Sequence, residues 1–412
     1  MREPVKRRVA ITGLGIVSAV GNSVSEAAQS LYHGRSGVVA DPGRKALGFA
    51  SCLTGAIKPY AAGAGLSRKQ RKTMPDFALW AADACFQAIA QSGIDPADLQ
   101  NGASGVIFSC DSSSLSAVEQ VDLLRESAST ASLGSGLVFR SMTSCLSMNL
   151  SVIFKTKGAA WTISAACAGG GHALGQAADL IACGRQERIL CGGAQEINWQ
   201  SVCSFDALGA FSRREDAPER ASRPFDADRD GLVPGGGAAA LLLENRDLAK
   251  KRGAEILGEI AGYGFSSDGE SLFVPSETGI GRAMRMALSA AGEKPSGISY
   301  VCAHATSTPL GDAVEARNIA ELFGDRAVPV SSTKSLTGHE LWMSGAAQAV
   351  YSTIMARESF LAPNLNFSVP DRWSAMLDVI ADTRTAAPRA ILCNSAGFGG
   401  TNASLVLNFR DL

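Results

Sequence analysis

Four side chains stand where chemistry could begin: Cys167, His304, Lys334 and His339. Cys167 lies in "WTISAACAGGGH", where an apolar run ends in small residues, then three glycines and a histidine. The cysteine stands where a strand turns into a helix. Backbone N–H groups and the helix dipole there favour a thiolate, so this position predicts a lowered pKa. The small neighbours predict room for a substrate to approach. His172 falls inside the following helix and reads as structural. His304 ends the apolar run of "CAHATSTPLGDAVEA", ahead of a hydroxyl-rich loop with Thr306 and Thr308, then Asp312 and Glu315 near the next helix start. Lys334 and His339 flank the turn of "SSTKSLTGHELWMSG". A polar, glycine-rich loop, "NSAGFGGTN", carries Phe398. A lone cysteine or histidine is more often a packing residue. A cysteine, two histidines and a lysine at successive strand-to-helix junctions point instead to acyl transfer, then a second reaction at the acyl carbon.

These junctions need elements to hold them. Buried strands alternate with helices. "RVAITGLG" precedes a capped helix over 23–33, "MPDFALWAADACFQAIAQSGI" is a periodic helix ending at Gly93, and "SGVIFSC" is a strand. Such alternation predicts an α/β protein with a mainly parallel sheet covered by helices. A duplication shows in the order of elements. Each half offers a strand, a loop of special residues and a helix, twice, and each closes on a glycine-rich hairpin, "GLVPGGGAAALLLENR" and then "AGFGGTNASLVLNF". The seam falls near residue 255. Residues 1–255 would carry the nucleophile, and 256–412 the two histidines and the lysine, around one shared core. The charged stretch 212–231 is expected to be a surface loop. "TGLGIVSAVG" has Ser18 at the third glycine of a dinucleotide-binding turn, which weighs against that reading.

Composition narrows the classes. The 412 residues hold 38 Lys and Arg against 39 Asp and Glu. Overall charge therefore suggests neither nucleic acid nor an anionic membrane as partner. Ten cysteines occur with no CxxC, and only four histidines, so no metal site is expected. Most cysteines lie in apolar runs as small hydrophobes, a usage that fits a reducing, cytoplasmic setting. "MREPVKRR" and the apolar run after it look like a signal peptide but read better as a strand broken by glycines. No run approaches the roughly 20 apolar residues of a membrane span.

"ISAACAGG", "AHATSTPLGD", "TKSLTGH" and "NSAGFGGTN" together resemble the β-ketoacyl-ACP synthases of the thiolase superfamily, closest to the elongating type I/II enzymes. The likeness covers essentially the whole chain. It implies a thiolase-like fold, with duplicated βαβ halves in a five-layered α-β-α-β-α core. It also implies decarboxylative Claisen condensation of malonyl-ACP with an acyl chain held on Cys167. His304 and His339 would hydrogen-bond the malonyl thioester as it becomes an enolate. Lys334 would hold the histidines and Glu315 would support Lys334. Phe398 would gate the site and, with Cys167, give backbone N–H groups to an oxyanion. Thr306 and Thr308 would bind the phosphopantetheine arm, and Asp312 would hold their loop. No cofactor is implied, since substrates arrive on acyl carrier protein. Carrier docking is expected at the basic "LSRKQRKTMPD", through Arg68, Lys69 and Lys72 beside the pantetheine tunnel, with Arg125 added. The likeness implies a homodimer, or a heterodimer with a related ketosynthase or chain-length-factor subunit.

Three positions depart from the family pattern: Ala305, Trp342 at a customary glycine, and Ala396 where phenylalanine is usual. Ala396 and Trp342 therefore join the substrate-binding candidates. Loss of a phenyl ring frees on the order of 100 Å³, room for a bulkier or stiffer acyl chain unless Trp342 refills it. A silent chain-length-factor-like partner is the alternative reading, and the retained Cys167, His304, Lys334 and His339 weigh against it. A thiolase acting on coenzyme A esters would need a second cysteine in "NSAGFGGTN"; Cys393 precedes that loop and reads as core.

Overall fold

Val9–Val17 is buried at every position, as is Gly237–Asn245. Strands of that kind have to be covered on both faces. In the computed structural model, which describes residues 7–410, both lie in the middle of one large sheet. The basic start, residues 1–6, lies outside the described residues.

The strands are β1 (Val9–Val17), β2 (Ser104–Ser109), β3 (Ala160–Ile163), β4 (Arg188–Gln195), β5 (Gly237–Asn245), β6 (Gly258–Ser267), β7 (Tyr300–Cys302), β8 (Pro329–Ser331), β9 (Asp378–Val379), β10 (Ala390–Gly397) and β11 (Thr401–Asn408). The first five run in the order β3-β2-β4-β5-β1 and the later ones in the order β8-β7-β10-β11-β6, with β9 added at the edge. Relative direction repeats as well. In each set the first three strands named are parallel, and the next two pairings are antiparallel. The repeat expected from element order is thus a repeat of strand order and direction. The two sets meet where β1 pairs with β6, Ala10 opposite Glu259 and Ile11 opposite Gly258.

The helices that matter are α1 (Asp76–Ser92), α2 (Ser114–Ser127), α3 (Gly169–Ala182), α4 (Trp199–Ala207), α5 (Gly279–Ala291), α6 (Pro309–Phe323) and α7 (Ser344–Glu358). Helix α1 ends at Gly93, whose φ of +62° closes the last turn. It covers the outer face of β1 and β5, while α5 covers β6 and β11. Helices α3 and α7 lie between the two sets of strands and touch each other. Every residue from Ser344 to Met355 is buried, as a helix covered all round requires. The result is a thiolase-like stack of α, β, α, β and α layers. Among the described residues no helix is long and apolar enough to cross a membrane.

Three local expectations need correction. "GLVPGGGAAALLLENR" is no hairpin: its strand β5 pairs with β1 and β4, distant in sequence. The second hairpin does form, β10 with β11. The charged stretch 212–231 does not stay on the surface, since Ser212, Ala221, Phe225, Asp226 and Arg229 are buried within it. Nor do the three glycines hold space open at the thiol. A Cβ on Gly170 would stand 2.7 Å from the amide nitrogen of Ala346 in α7, and one on Gly169 would collide with Ser109 Oγ. These glycines let α3 pack tightly on α7 and β2.

Candidate active site

Cys167 sits on a single turn, residues 166–168, between β3 and α3. The turn is held from outside its own strand. Asp111, just beyond β2, accepts hydrogen bonds from the Ala165 N–H at 3.2 Å and the Ala166 N–H at 2.8 Å. Ala166 has φ of +47°, a left-handed conformation that costs a residue with a Cβ about 1–3 kcal/mol. The carboxylate clamp holds that strain in place. The thiol does not behave as its helix N-terminus suggested. Burial pushes its pKa up to about 12, Asp111 adds to the rise, and Lys334 and the thiol's own backbone pull the other way. Removal from water outweighs the positive end of the helix.

His304 follows β7 and His339 lies in the turn before α7. Their rings meet edge to face, with centroids 5.2 Å apart. Nδ1 of His339 is 3.2 Å from Ser344 Oγ. Both pKa values are held well below the ordinary imidazole range, first by burial and then by Lys334; His339 adds to the effect on His304. Both rings are therefore neutral near pH 7. Lys334 is fully buried, and among the described residues its Nζ has no hydrogen-bond partner. Burial lowers its pKa, while Cys302 first, then Glu315 and Glu340, oppose that. Glu315 does not salt-bridge Lys334. Its carboxylate accepts from the His304 N–H (2.9 Å), the Ala305 N–H (2.7 Å) and Asn394 Nδ2 (3.0 Å), so it anchors the histidine's backbone and acts on Lys334 only through charge.

Thr306 and Thr308 face each other with hydroxyls 3.1 Å apart. Asp312 lies behind them, accepting from the Thr306 N–H (3.0 Å) and the Phe225 N–H (2.9 Å). Burial pushes its carboxyl up to about 7, against the pull of Arg229. Arg229 comes from the stretch expected at the surface. It donates to the carbonyls of Thr308 and Pro309 and pairs with Asp371 at 2.7 Å.

Phe398 lies between β10 and β11 and is 40% exposed. Its ring stacks on Phe205 of α4, centroids 5.9 Å apart, and meets Phe273 edge-on at 6.3 Å. Just before it, a Cβ on Gly397 would stand 2.8 Å from the Cys167 nitrogen, so only glycine lets this backbone approach the nucleophile's. A cavity of about 480 Å³ brings together Cys167, His304, His339, Thr306, Thr308 and Phe398.

Ala396 and Trp342 part company. Ala396 lines the large cavity and a second one of about 50 Å³ beside His304, Thr306, Asp312 and Glu315. Ala396 thus borders both the cavity that holds Cys167 and a space on the histidine side. Trp342 enters neither cavity. It packs against Cys167, Leu341 and Phe205, and its Nε1 donates to Ser112 Oγ.

The basic residues stand apart. Arg68, Lys69 and Lys72 are exposed, Lys72 reaching Ser135 Oγ at 3.0 Å, while Arg125 on α2 lies 3.9 Å from Asp122. None of the four lines the cavity that holds Cys167. His172 bridges Tyr263 and Thr401, a structural role, and Cys393 is buried in β10. Sequence reasoning missed Asp111, Phe205, Arg229, Phe273, Ser344 and Asn394. Two of them carried a local signal: Asp111 stands at a strand end, and Ser344 lies five residues after His339.

Comparison with known proteins shows what the chain resembles. Residues 6–249 match the family model for the β-ketoacyl synthase N-terminal domain, and residues 257–368 the C-terminal domain. The 3-oxoacyl-[acyl-carrier-protein] synthase 1 of Escherichia coli K12 is 39% identical over 404 residues, 97% of this chain and 98% of that one. A β-ketoacyl synthase from Burkholderia phymatum superposes with a TM-score of 0.92 at 36% identity, over 98% of this chain and 99% of that one. A type II polyketide ketosynthase, solved in complex with its acyl-carrier protein and bound to a hexaketide, has a TM-score of 0.89 at 28% identity over 98% of this chain and 99% of that one.

Proposed function

This chain belongs to the β-ketoacyl synthase family, and from that premise we propose how its own residues carry out condensation on carrier-bound thioesters. One observation supports the reading above the rest. A single cavity joins a cysteine at a strained turn to two neutral histidines.

The reaction has three steps. Cys167 Sγ attacks the acyl thioester; the new C–S bond forms as the carrier's C–S bond breaks, and the thiol proton leaves with the carrier thiolate. Because burial keeps the Cys167 thiol protonated, that proton has to be passed on during the attack. Malonyl carrier then enters. Its carboxylate leaves as CO2, and the electron pair moves into an enolate whose oxygen faces His304 and His339. Preorganised donors aimed at a developing oxyanion are worth several kcal/mol in a site closed to water. A neutral imidazole donates from one nitrogen only. The tautomer this step requires has its proton on Nε2, with Nδ1 accepting from the Ser344 hydroxyl 3.2 Å away. The enolate carbon then attacks the Cys167 thioester, with the N–H groups of Cys167 and Phe398 taking the oxyanion. The C–C bond forms, the C–S bond breaks, and the thiolate recovers a proton.

Burial first, and the charge of Lys334 second, keep both imidazoles neutral, and Glu315 fixes the His304 backbone. Thr306 and Thr308 hold the phosphopantetheine arm, on a loop tied down by Asp312 and Arg229. Ala396 and Trp342 shape the two sides of the site. Phe398, between Phe205 and Phe273, separates the carrier arm from the acyl group. The partner is an acyl carrier protein, as in the polyketide ketosynthase complex, docked at Arg68, Lys69 and Lys72 with Arg125. No cofactor takes part. The enzyme works as a cytoplasmic dimer, residues 1–255 supplying the nucleophile and 256–412 the histidines and lysine. A silent chain-length-factor role is not favoured, since the reacting groups are all in place.

Incubation with acyl and malonyl carrier proteins is expected to release CO2 and form β-ketoacyl carrier. Changing His304→Ala or His339→Ala should cut CO2 release by about 10²-fold or more. Undiminished release in both variants would overturn the assignment of the histidines.

A further inference from the structure

We propose that Trp342 is the floor of the acyl side of this site and restricts Cys167 to short acyl chains. The inference rests on Cys167 as the acyl-bearing residue. Trp342 shares one buried apolar cluster with Cys167 and Leu341 and is 8% exposed. Four observations fix it there. Its Nε1–H donates to Ser112 Oγ at 3.3 Å. Its ring lies 6.1 Å from Phe205, centroid to centroid. Its carbonyl lies against β4, where a Cβ on Gly193 would stand 3.2 Å away. Leu341, just before it, has φ of +42°, so the turn that presents the ring is itself constrained.

Beyond the indole the wall continues. Ser112 Oγ donates to Glu196 Oε1 at 2.8 Å, and Glu196 is 4% exposed. The far face of Glu196 lines a separate cavity of about 350 Å³ with Phe77, Trp80 and Leu115. Cys167 does not line that cavity, and Trp342 and Ser112 stand between. The open volume at Cys167 lies on the other side, toward His304, His339 and Phe398. A long acyl chain turned into that volume would fill the place that malonyl and its carrier arm need. Short chains fit against the indole, and each further methylene has to displace a packed ring. In hydrophobic sites one methylene that does not fit is worth about tenfold or more.

The test is acylation of the full-length enzyme by acetyl, butyryl, octanoyl and dodecanoyl N-acetylcysteamine thioesters, followed by intact-protein mass spectrometry. Acetyl and butyryl should load Cys167, with dodecanoyl slower by at least about tenfold. Trp342→Gly, which opens the way toward Glu196, should recover most of that loss, and Trp342→Leu part of it. Equal loading of acetyl and dodecanoyl by the wild type would overturn the proposal, whatever the variants do. So would folded variants that keep the wild-type preference. No loading of Cys167 by any thioester would instead defeat the reading of Cys167 itself.

Discussion

Cys167 and the two histidines share one physical condition: burial keeps all three neutral. Burial raises the thiol's pKa to about 12 and lowers those of both imidazoles. The consequences for stability have opposite signs at the two ends of the pH scale. Unfolded histidine takes up a proton below about pH 6.5 and folded His304 and His339 do not, so the unfolded state binds more protons there. Stability should fall as pH drops through about 6.5. Unfolded cysteine loses its proton above about pH 8.5 while Cys167 keeps it, so stability should fall again as pH rises past that value. Urea melts across pH 5–10 would check this. His304→Phe with His339→Phe should make the acid limb shallower, and Cys167→Ala the alkaline one, with His172 and the buried Cys85, Cys110, Cys145, Cys191 and Cys393 keeping the rest of each slope. Ser344 tests the histidine geometry itself. Removing its hydroxyl frees His339 Nδ1, and Ser344→Ala should lower kcat for CO2 release by about tenfold with KM little changed, less than loss of a donor outright. Ser344→Thr should restore the rate. An unchanged kcat in Ser344→Ala would remove Ser344 from the mechanism.

The elements that hold these residues were legible unevenly. Helix α1, the strand at 104–109 and the turn around Cys167 carry their signals in adjacent residues: periodicity, β-branched runs, and glycines at a strand-to-helix change. The recognition motifs are local in the same sense, and they placed Cys167, His304 and His339 at one cavity. What stayed hidden depends on partners far apart in sequence. Arg229 reads as one more charge in an exposed run until Asp312 and Asp371 arrive from the other half to pair with it. Asp111 shows only its place at a strand end until Ala165 and Ala166, from another strand connection, supply the N–H groups it accepts from. The fate of "GLVPGGGAAALLLENR" was set by β1 and β4, not by its own turn residues. Arg229→Met makes the long-range part measurable. It leaves Asp312 buried without its cation and frees the carbonyls of Thr308 and Pro309. Breaking a buried pair in this way costs about 3 kcal/mol or more. The variant should melt earlier and raise KM for the carrier substrate through the Thr306–Thr308 loop. Wild-type KM and stability would show that the loop needs no such anchor.

Across the whole molecule the site exists only because two copies of one strand pattern face each other across α3 and α7. The first set places Cys167, and the second places His304, Lys334 and His339. The central helices are buried by both, so neither set can open without exposing them. Thermal unfolding is expected to give a single cooperative transition, and two resolved transitions would contradict a shared core. In the proposed reaction Cys167 carries the acyl group and gives it up to a carbanion made at the histidines. The most direct measurement is a pulse and chase followed by intact-protein mass spectrometry. Acetyl carrier protein is supplied first, and malonyl carrier protein second. One acetyl is expected on Cys167 after the pulse, and none in Cys167→Ala. After the chase that mass should be lost as β-ketoacyl carrier and CO2 appear in equal amounts. β-Ketoacyl carrier formed at the wild-type rate by Cys167→Ala, or an acetyl-enzyme that malonyl carrier leaves untouched, would contradict it.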